Sequence, residues 1–189
     1  MLLSRGGAQS PAATATTVVL PSPTPTVAPA ARAATTAFAT ALPASVLQYA
    51  LATSEEDPEP VAAGALEAWT ETFTDGGAAT LTVRAAQFET PEEAAAYAAS
   101  LVATLPAAAP SPAASPAASP STSPSATADD APALPASGEV QAGGAVVGTY
   151  TVVDAGDGTG VAVWQNGTAV LRLTAPVEDV ADAYAAFPL

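Results

Sequence analysis

Between Pro106 and Ser137 the chain is built almost wholly of Ala, Ser, Pro and Thr, holds no aromatic residue, and repeats Ser111-Pro112-Ala113-Ala114 as Ser115-Pro116-Ala117-Ala118. Such a tract has no large apolar group to bury, and its prolines lack amide donors, so nothing offsets the entropy of ordering it. It therefore acts as a flexible tether over 106–137, and whatever folds must do so around it. A second tract of the same kind, centred on Pro21-Ser22-Pro23-Thr24-Pro25, makes residues 1–31 an extended Pro/Thr/Ala stalk. Segment 32–60 is an N-terminal helical stretch followed by an acidic linker. The ten aromatic residues fall outside both tracts, and eight of them lie in two blocks, 61–105 and 138–189. Together these blocks hold 97 residues, an ordinary size for one small domain.

The first block predicts a hairpin and a helix. Leu66–Thr74 and Ala78–Ala86 alternate around Asp75-Gly76-Gly77, and a three-residue loop puts Trp69, Phe73, Leu81 and Val83 on one face with Thr70, Thr72, Thr82 and Arg84 on the other. Thr90-Pro91-Glu92-Glu93 is a capping box with proline at the first helical position, opening a helix that runs to about Leu105. In the second block, strands at Val146–Val153, Val161–Gln165 and Thr168–Thr174 are joined by Asp154–Gly158 and by Asn166-Gly167, a two-residue hairpin turn. A last helix starts near Pro176, with Val180, Tyr184 and Phe187 on one stripe. Ala96-Tyr97-Ala98-Ala99 and Ala183-Tyr184-Ala185-Ala186 sit in corresponding helices, so a duplicated ββα unit is one reading and coincidence in an Ala-rich chain the other. The expected fold is α+β: one antiparallel sheet of about five strands with two helices on one face.

Chemistry is narrowed by what is missing. The chain has no His and no Cys, and its four basic residues are Arg5, Arg32, Arg84 and Arg172, giving a net charge of -14. Ser-His-Asp and Cys-His catalysis, Cys/His zinc sites, haem ligation and thiol redox all need side chains that are absent. With no basic cluster to neutralise phosphates, neither nucleic acid nor an anionic membrane surface is an expected partner. No cofactor and no metal site is expected. Asp154–Gly160 lacks the spacing of a calcium loop and the lysine of a phosphate loop, and a Gly/Asp turn explains it. Glu55–Pro60 reads as a solvated acidic linker, and Asn166-Gly167-Thr168 as a turn rather than a glycosylation acceptor.

Two features remain. Glu71 alternates onto the apolar face between Trp69 and Phe73, where desolvation would raise its pKa and make it a candidate proton donor, unless it reaches solvent at an edge. Val161, Val163 and Val170 surround Arg172 on the face opposite Trp164, away from the expected helices. Either the helical stretch Ala33–Ala52 covers those valines or the face is a binding or homodimer surface, with Arg172 and Arg84 as its charges. The expected function is a non-enzymatic binding or sensor-type domain on a flexible stalk, with an unknown protein or small ligand as partner. The alternatives are a structural or interaction module of the cell envelope and a carboxylate enzyme using Glu71. The stalk favours an extracytoplasmic location, secreted or held by a membrane segment upstream of Met1.

Overall fold

Alternation of apolar with threonine or charged residues gives the chain its strands, and a computed structural model, which describes residues 23–106 and 134–188, shows how far that alternation extends. The strands are β1 (Ser45–Val46), β2 (Tyr49–Glu56), β3 (Glu67–Thr74), β4 (Thr80–Gln87), β5 (Ala136–Ala142), β6 (Ala145–Asp154), β7 (Thr159–Asn166) and β8 (Ala169–Pro176). Among the described residues four helices accompany them: α1 (Ala37–Ala41), α2 (Pro58–Ala62), α3 (Pro91–Ala103) and α4 (Val180–Ala186). The protein is α+β with one antiparallel sheet, but that sheet has eight strands rather than five, in the order β1-β2-β3-β4-β8-β7-β6-β5. Two four-stranded meanders thus meet at β4 and β8, where Arg84 pairs in register with Arg172.

The additional strands come from segments whose sequence pointed elsewhere. Ala33–Ala52 is not one helix. It yields only α1, capped by the Thr36 side chain, and then the β1–β2 hairpin. Pro43 accounts for the end of α1, because the residue before a proline is pushed out of the helical region, and Leu42 is extended at φ -66, ψ 137. β5 begins inside the expected tether, and its turn into β6 uses Gly143 and Gly144, both at positive φ as a two-residue hairpin loop requires. The described part of the expected stalk also lies on the sheet, since the Ala30 amide donates to the Leu51 carbonyl at 2.7 Å. Residues 1–22, with Arg5, and 107–133, with Asp129 and Asp130, lie outside the described residues.

Both expected hairpins form with the expected faces. Phe73 pairs with Leu81 and Glu71 with Val83; Trp164 pairs with Leu171 and Ala162 with Leu173. Each loop sits slightly further along than the turn residues imply, Asp75 to Ala79 in the first and Asn166 to Ala169 in the second. The partner index moves by two, which leaves every side chain on its face. The α3 capping box is present, Thr90 accepting from the Glu93 amide and the Glu93 side chain accepting from the Thr90 amide.

The helices do not share a face. Val180, Ala183 and Phe187 of α4 and its C-cap pack against Trp164, Leu171 and Leu173, and the same face receives Phe38, Leu42, Val46 and Tyr49 from the N-terminal segment. α3 lies on the other face, with Ala94 and Ala98 against Ala86 and Val170, and Leu101 and Leu105 against Val153, Val161 and Val163.

Candidate functional site

The valine face closes under α3. Val161, Val163 and Val170 are 4%, 1% and 1% exposed, so the surface expected to bind a partner or a second copy is interior packing in this fold. Over Val161 and Val163 the cover is not the N-terminal stretch but the Leu101–Leu105 end of the first block's own helix, and over Val170 it is Ala94, Ala98 and Tyr97 of that helix. Arg172 and Arg84 stand side by side here. Arg172 Nε is buried without a hydrogen-bond partner among the described residues, next to a cavity of about 10 Å³ between Arg84, Tyr97 and Leu101, room for at most one water-sized group.

Arg84 is committed to structure. Its Nε donates to Asp57 Oδ2 at 2.6 Å and its Nη2 to Glu59 Oε2 at 2.6 Å. Asp57 also accepts from Thr70 Oγ1 and, as the N-cap of α2, from the Glu59 amide. The acidic linker expected at 55–60 therefore contains a buried, ion-paired carboxylate. Burial works to raise the Asp57 pKa, but the bonds from Arg84, Thr70 and the Glu59 amide outweigh it and hold the carboxyl below its usual range. A depressed folded pKa gives stability that is present above the unfolded value near pH 4 and lost as pH falls through the folded one. Asp57→Asn is thus expected to flatten the acid limb of stability against pH below about pH 4. Urea midpoints across the acid range check it, and a wild-type-to-Asn difference that does not vary with pH would exclude the linkage.

Glu71 is fully buried at 0% side-chain exposure, not at a solvent-reaching edge. Arg32 Nε donates to its Oε1 at 2.5 Å and Arg32 Nη2 to its Oε2 at 2.9 Å, a forked pair, and Ser54 Oγ donates to Oε1 at 3.0 Å. Both oxygens are engaged within the fold.

The open site lies elsewhere, where the N-terminal segment and α2 part at the start of β3. There a cleft of about 760 Å³, within the usual range of ligand sites, runs between Ala33–Thr36 and Glu56–Val61 over Leu66, Glu67 and Trp69. Its apolar lining is unusually bare: Leu66 is 63% exposed and Val61 46%. Trp69 Nε1 donates to Glu67 Oε2 at 3.1 Å, and Thr36 Oγ1 donates to the same oxygen at 2.7 Å, which fixes the indole at the wall. Glu56 sits directly opposite Trp69 in the β2–β3 register.

No protein-family model, curated protein or solved structure matches this chain. Of the six residues singled out from sequence, Arg84, Arg172 and Val170 come together around the small cavity, Val161 and Val163 lie in the adjoining cluster under α3, and Glu71 is on the opposite face. Missed were Arg32 as a partner for Glu71, Asp57 as a partner for Arg84, and the cleft. One signal for the cleft was present: Leu66 precedes Glu67, Ala68 and Trp69 where the strand starts, an apolar residue outside the alternation. Among the described residues no group of three or more His, Cys, Asp or Glu is placed to hold a metal ion.

Proposed function

We propose that the protein is a non-enzymatic binding module, carried outside the cytoplasm on its Pro/Thr/Ala stalk, that receives its ligand in the Trp69 cleft. The observation that carries this reading is the open cleft with two exposed aliphatic residues, Val61 and Leu66, beside an indole whose ring position is fixed by Glu67. Leaving such groups in water costs free energy that a ligand recovers. The non-enzymatic part rests on Glu71, which lines none of the cavities described above and has both oxygens hydrogen-bonded within the fold. The location rests on stalk composition.

A mixed library of neutral, cationic and anionic fragments, screened by amide chemical shifts on the full chain, tests the site. Binders are expected to shift resonances of residues 33–36 and 56–69 more than any other group, and Trp69→Ala is expected to abolish those shifts. Hits confined to other surfaces, or no hits at all, would overturn the reading.

A further inference from the structure

Charge is distributed unevenly around the cleft. Three of the four arginines are described: Arg84 neutralises Asp57, which also lines the cleft, and reaches Glu59, Arg32 is bound to Glu71, and Arg172 lines the separate cavity under α3, so none of them pairs with Glu56 or Glu67. Among the described residues Glu67 accepts from the neutral donors Thr36 Oγ1 and Trp69 Nε1, and Glu56 stands exposed across from Trp69. The chain has no lysine at all, so among the described residues no cation remains for these two carboxylates.

We infer that the cleft takes the alkylammonium or alkylguanidinium side chain of a basic protein segment. The inference deepens the binding reading above and rests on it. Three features of the wall select this chemistry. The indole offers a negative π-face to a cation, and such contacts gain strength where water is partly excluded. The carboxylates of Glu56 and Glu67 flank that indole and supply the counter-charge. Val61 and Leu66 match the methylene stem of lysine or arginine, which packs along apolar surface while its head reaches a polar partner. A carboxylate or phosphate ligand would meet two uncompensated negative charges, and a purely apolar ligand would strip water from Glu67 without replacing its contacts. The overall charge of -14 also draws basic partners toward the chain.

The test is a titration of the full chain followed by the Trp69 indole N–H resonance, assigned by Trp69→Phe. The probes are an end-capped peptide containing lysine and arginine, the same peptide with norleucine and citrulline in their places, and free n-hexylammonium. The basic peptide is expected to saturate the Trp69 shift, with the uncharged peptide weaker by about tenfold or more. The combined variant Glu56→Gln/Glu67→Gln is expected to weaken the basic peptide by about the same factor. Equal binding of the uncharged peptide, or binding unchanged in the double variant, would overturn the cationic assignment. Binding of hexylammonium in preference to the basic peptide would overturn the protein-segment assignment. If no probe shifts Trp69, the inference fails. The fragment screen separates these outcomes from failure of the cleft itself, because neutral fragments that map to residues 56–69 would leave the binding reading standing.

Discussion

Replacing Arg32 by alanine is expected to remove about 3–5 kcal/mol of folding stability, a large share of the roughly 5–15 kcal/mol that a domain has. The reason lies in what the substitution leaves behind. Glu71 is fully enclosed among Phe73, Val83 and the N-terminal segment, and its two oxygens are met by Arg32 Nε and Nη2, with Ser54 as the third donor. Without the guanidinium, a buried carboxylate keeps only one neutral partner. Arg32 also donates to the Pro43 carbonyl, so the same change loosens the segment that carries α1 over the sheet. The paired change Arg32→Met with Glu71→Leu removes both charges together and is expected to recover most of the loss, since apolar replacement of a buried pair is often neutral or better. Denaturant unfolding of the three proteins decides the matter. A loss below about 1 kcal/mol for Arg32→Ala would mean that water reaches Glu71 and that its burial is incomplete. Arg84→Ala makes an internal comparison: one of its partners, Glu59, is 71% exposed and resolvates freely, so the smaller effect is expected there.

The contrast between Glu71 and Arg32 also marks how far the sequence could be read. Glu71 stood out because alternation put a charge on an apolar face, which is a local, period-two signal. Its partner lies 39 residues away in the chain and no local pattern connects the two. The same holds for Asp57 and Arg84, 27 residues apart. Hairpins with Gly in their loops, at Asp75-Gly76-Gly77 and Asn166-Gly167, were legible with their faces because the turn residues mark where the chain reverses and alternation fixes the faces, which a register shift of two leaves unchanged. The β1–β2 hairpin was not, since its loop is Leu47-Gln48 and Leu47 itself takes the left-handed φ of 49 that sequence reasoning reserves for Gly or Asn. Gly143-Gly144 did carry a turn signal, but the first strand of the second block was expected only from Val146, so β5, whose first two residues fall in the expected tether, was left without a strand. The candidate surface was placed on Val161 and Val163 by assuming that both helices follow Trp164. That choice of face is a tertiary matter: a helix after an antiparallel strand can return over either side, and the period of the strand does not say which.

What fixes α4 on the Trp164 side is a packing arrangement whose removal should be the second large effect. Trp164 is 1% exposed and meets Tyr184 and Phe187 edge-on at 5.3 Å each, one ring from α4 and one from its C-cap. Beneath the start of the helix, Gly160 of β7 lets Val180 approach so closely that an added Cβ would lie 2.4 Å from Val180 Cγ1. At the same end, Tyr49 donates its hydroxyl to Asp179 Oδ2 at 2.5 Å, tying β2 to the helix N-cap. Trp164→Ala is expected to cost about 3–5 kcal/mol, the transfer term plus a cavity that the sheet cannot collapse. Gly160→Val would act on the opposite side of the same contact, forcing α4 off the sheet by steric displacement rather than by loss of a filler. The two changes predict different residual states. With Trp164→Ala, α4 keeps its seat on Gly160 and the whole domain loses stability together. With Gly160→Val, α4 loses protection from amide exchange while β3, β4 and α3, packed on other contacts, retain theirs. Exchange measured by residue on both variants checks this, and α4 protection equal to wild type in Gly160→Val would show that the helix is held by Trp164 and Tyr49 alone.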